Sequence, residues 1–459
     1  MLSSLLWRPL RPADPTRTYY LLGAGSSCFF VLAFTLSQVY YFTVVGLSPL
    51  EMVLVGTVLE ATCFLFEVPT GIVADLWSRR LSVIIGVVLI GLAVLLQGLV
   101  PTITAVLATQ VIWGLGYTFT SGADEAWITD EIGEDQVARV FTREQQLRLG
   151  LTVVATVLAG LLGLVSLRLP MVVAGTGFLV LAVVLLLIMP EANFQRTPRE
   201  DRETVASMVG TLRDGLFVAR RRPVVRSFFL VTLVVGLSSE AFDRLWSVRV
   251  LSDFTLPSLW GLNGPVVWFT AFSLIGTLIS LVVSLGVNRV APGLVQASHP
   301  NWLLASLVGV QVLAVAGVAL LGNLWLALAA VWGRDAAGAL AAPIRSAWLN
   351  RHLDPRSRAT VISMNGQVDA IGQVVGGPPL GVLANRTSTP TALLVSALVL
   401  APAIAVYGRL RPPTAQPPVA DPTAGGGPDV TRGRADVTRG QANGVRDQGR
   451  DPRGLVSVD

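Results

Sequence analysis

Glu60 and Glu67 interrupt a long apolar run, residues 50–73, and stand seven positions apart, so a helix carries both on one face. Arg334 and Asp335 interrupt a second such run, 323–349, and Asp369 a third, 358–384. Runs of this length cross a bilayer as helices. An ionisable group at that depth costs several kcal/mol and marks a cavity, an ion pair or a proton path. Glu60 falls near mid-membrane, and Glu67 nearer one surface. A carboxyl that is wetted and dried in turn can take up and release a proton, and this makes Glu60 the candidate for energy coupling. Glu67 either shares that task or braces the loop that follows it. Arg334 lies about 18 Å along its helix at 1.5 Å per residue. It can hold a carboxylate that lets go on protonation, or take an anionic substrate. Adjacent helical residues point about 100° apart, so Arg334 and Asp335 are expected to have different partners. Glu240, Asp243 and Arg244, in the outer half of 224–250, form an expected outer network, either structural or a gate.

The elements that must position these groups follow from hydropathy. The chain has 459 residues, of which 52% are hydrophobic and 14% charged, with a mean hydropathy of +0.64. Soluble domains are about a quarter charged, so this is a polytopic membrane protein. Twelve spans are predicted, at 19–45, 50–73, 81–100, 102–128, 138–165 and 169–189, then 224–250, 264–287, 301–321, 323–349, 358–384 and 388–408. Spans 3, 6, 9 and 12 contain no charge in their interiors. Every basic residue is arginine, and their placement sets the topology. Three precede span 1, two lie in loop 2–3 and eight fall between Arg196 and Arg226, against Arg168, Arg249 and Arg386 on the other side. Both termini are thus expected in the cytoplasm, with the protein in the plasma membrane. That distribution accounts for the basic charge without a nucleic-acid partner. Cys28 and Cys63 lie inside apolar runs, which does not support a disulfide framework or a zinc site. His299 and His352 fall in loops.

Loop 2–3 reads Gly71-Ile-Val-Ala-Asp75-Leu-Trp-Ser-Arg79-Arg80. It resembles the loop between helices 2 and 3 of the major facilitator superfamily of secondary transporters, with Gly71, Asp75, Arg79 and Arg80 matching. Leu76 replaces the usual basic residue and Ser78 the usual glycine. A second resemblance to that superfamily is an internal repeat. A shift of 221 residues aligns Ala126–Gly160 with Ala347–Gly381, with eight of 35 positions identical, including Trp127/Trp348 and Gln146/Gln367. Two parallel six-helix halves related by an axis along the membrane normal would produce it. The same shift aligns Asp124 with Arg345, Asp130 with Arg351 and Arg148 with Asp369. Opposite signs at positions close to the axis permit pairing across the halves, so the first two pairs are expected to form a cytoplasmic gate.

The resemblance implies an all-α fold with bundles at 18–189 and 224–408 and a short N-terminus, 1–17. A central loop at 190–223 would carry an amphipathic helix on the inner surface, and 409–459 would form a disordered tail. It also implies a monomeric, proton-coupled carrier without a cofactor, working by alternating access on a small molecule. No Walker motif points to an ATP-driven pump. Trp113, Tyr117, Phe242, Trp246, Trp268 and Phe272 are expected to line an amphipathic cavity, which suits export of a lipophilic organic compound. Drug antiporters of the superfamily carry a Gly-Pro pair in span 5; here that span has Gly160 and Gly163 without proline, and Gly376–Pro379 stands in span 11 instead. Uptake of a nutrient or metabolite is the alternative, and a transport-inactive sensor a remoter one. A membrane enzyme would need a clustered nucleophile, base or metal set, which the intramembrane polar residues do not supply.

Overall fold

The structure, a computed structural model, describes residues 11–194, 220, 222–258, 261–262, 264–295, 300–351, 353 and 355–410. The expected amphipathic helix of the central loop, the tail, and His299 and His352 lie outside the described residues. Twelve helical rods account for nearly all of the rest. They are α1 (Pro15–Val45), α2 (Pro49–Leu76), α3 (Arg79–Leu99), α4 (Ile103–Ile132), α5 (Glu134–Val165) and α6 (Leu169–Ile188). The second set is α7 (Pro223–Asp253), α8 (Gly264–Val295), α9 (Pro300–Leu320), α10 (Leu324–Arg351), α11 (Pro355–Arg386) and α12 (Thr389–Arg409). Among the described residues, ten are long and apolar enough to cross a membrane. Helices α10 and α11 fall short of that apolarity because Arg334, Asp335, Arg345 and Asp369 sit in them.

Local signals set the helix ends. Ser48 caps α2 reciprocally with Glu51, and Pro49 occupies the first turn. Ser78 and Thr102 cap α3 and α4. Gly122, at φ 73°, turns left-handed within α4 and redirects its last ten residues, Ala123–Ile132, a bend that a Cβ would strain. Large apolar side chains such as Leu65, Val165, Leu313 and Leu398 remain exposed on the outside, as lipid-facing surface requires.

The halves meet at the end that carries loops 1–2, 7–8 and 11–12. There α2 packs along α11 and α7, and α5 along α8. The Leu50 amide donates to Asn385 Oδ1 at 2.9 Å. Gly381 lies on Leu50 and Val53, Gly160 on Thr270, and Gly163 on Leu36 and Val266. At the loop 2–3 end the halves part, and α4 and α10 share no substantial packing. Tight packing of α3 on α6 and of α9 on α10 and α12 keeps each half rigid. Small residues let α7 and α11 approach backbone to backbone at Gly236, Gly372 and Gly376.

Candidate functional site: the seam and two intrabundle cavities

The loop 2–3 residues bolt three helices of the first half together. Arg79 reaches Asp130 at 2.5 Å and the Ala126 carbonyl at 2.9 Å, with Asp75 more distant at 3.7 Å. Arg80 is fully buried, and its Nη2 donates to the Leu186 carbonyl at 2.7 Å. Glu191, just past α6, accepts from the Ser78 hydroxyl at 2.6 Å and from the Arg80 amide at 2.9 Å. Gly71 has open space where a Cβ would stand. Asp130 is thus engaged within its own half rather than by Arg351, because Arg79 projects toward the bent end of α4. Arg351 is exposed at the end of α10.

The seam holds the membrane-depth charges. Glu60 makes no hydrogen bond among the described residues and lies in the electrostatic field of Glu240, Asp369, Arg244 and Glu67. Gln367 of α11 donates to Glu67 Oε2 at 3.0 Å, a polar bridge between the halves. Asp369 accepts from Gln373 at 2.9 Å. Glu240 is buried and bonded to Arg244 at 3.2 Å, and the pair is pressed against Gly56 of α2. Asp243 does not belong to that outer network. One residue separates neighbours by about 100° on a helix, which turns Asp243 toward α10, where Arg334 binds it at 2.9 Å. The expectation that Arg334 and Asp335 take different partners is also corrected: the flexible guanidinium folds back onto Asp335 at 3.2 Å while lying over the Phe242 ring.

Among the described residues, one cavity opens inside each bundle at matching places. The first, about 600 Å³, is walled by Phe30, Val87, Ile90, Trp113 and Phe178, with Tyr19, Asp124, Glu144 and Arg148 as its polar part. Arg148 pairs with Glu144 and Gln145, and Tyr117 lines the same wall. The second, about 280 Å³, is lined by Arg334, Asp335, Gly338, Arg345 and Tyr407. Residues 221 apart line both: Trp113 and Arg334, Tyr117 and Gly338, Asp124 and Arg345. Four of the expected cavity aromatics pack elsewhere. Trp246 stacks on Phe269 and Trp268 on Phe272, while Trp268 meets Trp325 edge-on, in a cluster joining α7, α8 and α10. Phe242 is buried beneath Arg334. These rings fill space between helices because flat apolar faces pack best there. Sequence reasoning missed Glu144, Glu191 and Tyr407. Only Glu144 carried a signal, its four-residue spacing from Arg148.

A two-bundle helical membrane protein with charge at the seam and a cleft at one end has the architecture of a membrane transporter. The sequence profile of the Major Facilitator Superfamily matches residues 20–333, and the chain belongs to that superfamily. An uncharacterised MFS-type transporter, YxaM of Bacillus subtilis (strain 168), is 21% identical over 368 residues, covering 78% of this chain and 86% of YxaM. Similar solved structures include the nucleoside transporter NupG, with 16% identity, a TM-score of 0.68, and coverage of 87% of this chain and 100% of that one. A bacterial homologue of the human lysosomal transporter Spinster, inward-facing and unoccupied, has 16% identity, a TM-score of 0.62, and coverage of 86% and 97%. At these identities the likeness to the solved structures is one of fold.

Proposed function

We propose that this chain is a proton-coupled carrier that exports a small amphipathic organic compound across the plasma membrane by alternating access. The observation that carries the reading is the carboxylate group at the seam. Glu60 has no hydrogen-bonding partner among the described residues and stands within the field of Glu240, Glu67 and Asp369, with Arg244 as the nearby cation. Closing the cleft dries this group, and a proton on Glu60 removes one of its mutually repelling charges. The arginine bias favours a cytoplasmic loop 2–3 end, and on that reading the cleft faces inward. A large cavity with aromatic walls and a polar end suits an amphipathic cargo.

The test is flux of a compound panel in proteoliposomes under an imposed proton gradient, with a sodium gradient as a parallel arm. Proton-driven accumulation should be seen with the wild type and lost in Glu60→Gln, while that variant remains folded and still exchanges substrate without a gradient. Undiminished proton-driven flux in the variant would remove Glu60 from the mechanism. Flux that follows only sodium would replace the coupling ion, and accumulation in the reverse direction would make the protein an importer.

A further inference from the structure

The two cavities carry opposite charge at matching places: Asp124, Glu125 and Glu144 line the first against Arg148 alone, and Arg345 lines the second. In the first half, Glu144 is paired with Arg148 at 3.9 Å. Asp124 accepts the Glu125 backbone amide, at 2.8 Å, and makes no ion pair among the described residues; its charged neighbours are Glu125 and Glu144, both of its own sign. In the second half, Arg334 is satisfied by Asp243 and Asp335. Arg345 stands beside Tyr407 in the lining of the second cavity and makes no ion pair among the described residues, with Asp369 acting on it only through its field. Asp124 and Arg345 are 221 residues apart, and so are the first residues of their helices, Ile103 and Leu324. They therefore stand at equivalent places in the two halves, with opposite sign.

We propose that the cargo is an amphipathic zwitterion whose cationic, apolar end occupies the larger cavity at Asp124 and whose small anionic group is held by Arg345. The inference rests on the carrier reading above and names its substrate class. A ligand with one charge compensates one of these residues and leaves the other to be dried alone when the cleft closes, which is costly. A zwitterion compensates both and ties the two halves together. Cavity size orients it: about 600 Å³ with Phe30, Trp113 and Phe178 takes a ring or chain, whereas about 280 Å³ with a guanidinium and a tyrosine hydroxyl takes a carboxylate. Arginine suits that group because its planar fork matches a carboxylate.

The test is equilibrium binding to the purified full chain in nanodiscs, without any ion gradient. The probes are aryl-substituted ω-amino acids with methylene chains of increasing length, each also as its methyl ester, which is a cation, and its N-acetyl form, which is an anion. For at least one chain length the zwitterion should bind tenfold or more tighter than either blocked form. Asp124→Asn should reduce its affinity to that of the N-acetyl form, and Arg345→Gln to that of the methyl ester, while Asp124→Glu and Arg345→Lys retain part of the gain and show that the fold survives. Equal binding of zwitterion and methyl ester at every length, indifference to Arg345→Gln, or no binding of any probe would overturn the proposal. Because no gradient is used, a failure of proton coupling or of export direction leaves this result unchanged and is distinguishable from it.

Discussion

Adding one methyl group at Gly56 should open the loop 1–2 end of the protein. A Cβ there would fall 1.7 Å from Glu240 Oε1, 2.5 Å from Glu240 Cδ and 2.7 Å from Arg244 Nη2. Glu240 cannot swing aside cheaply, since it is 3% exposed and bonded to Arg244, and tearing a buried pair apart costs about 3–5 kcal/mol. The cheaper relief is for α2 to draw back from α7, at the overpacking cost of about 1–3 kcal/mol. A conformation in which the halves are already apart at this end pays neither. Gly56→Ala should therefore shift the conformational balance toward that state by about tenfold or more, since about 1.4 kcal/mol is a factor of ten. Spin labels at the exposed positions Arg168 and Thr387 lie at this end in opposite halves. With Cys28 and Cys63 replaced, double electron–electron resonance should report a longer distance gaining population in Gly56→Ala. Gly150→Ala, where a Cβ meets nothing within 4 Å, should leave the distribution unchanged. Identical distributions in wild type and Gly56→Ala would refute the reasoning.

Other outcomes follow from the contacts around loop 2–3 and the cavities. Asp75 is nearly half exposed and 3.7 Å from Arg79, a pair that contributes only about 0–1 kcal/mol. Asp75→Asn should accordingly slow turnover while leaving substrate affinity intact, and weak binding with normal turnover would point to a different role. Arg80→Gln strips the buried contact to Leu186 and should cost about 3 kcal/mol, read as a fall of several degrees in the melting temperature by size-exclusion thermostability; an unchanged midpoint would refute the assigned anchor. In the empty carrier Asp124 and Arg345 should approach when the loop 2–3 end closes. Either neutralisation should favour the open cleft, and the swap Asp124→Arg with Arg345→Asp should restore closure in part, as measured by labels across that end. A swap no better than the single changes would exclude the pair.

Much of the architecture was legible in the chain because a bilayer imposes it. Backbone groups in hydrocarbon must be bonded within the segment, so each apolar run had to be a helix. Predicted spans such as 169–189 and 264–287 accordingly fall on α6 (Leu169–Ile188) and the start of α8 (Gly264–Val295). The 221-residue repeat, readable as a Trp and a Gln pair, also places the starts of α4 and α10 and the charges Asp124 and Arg345. The cost of charge in lipid singled out Glu60, Glu67, Arg334, Asp335 and Asp369 as charges inside the bundle before their neighbours were known.

Partnership was not legible, because helical periodicity says which residues share a face but not which neighbour that face meets. The rotation of α7 about its axis sends Glu240 to Gly56 and Asp243 to Arg334, although the three acidic and basic residues of its outer half read as one network in sequence. The same ambiguity misplaced the aromatics: Trp113 lines a cavity, whereas Trp268 and Phe272 pack against their neighbours in α8 and α10. Sequence alone determined that the chain crosses the membrane as a repeated helical bundle with charge inside it, since burial in lipid acts on each segment separately. Which charges meet, which rings stay wet and which end is closed depend on the packing of segments far apart in sequence, and only the tertiary structure decides that.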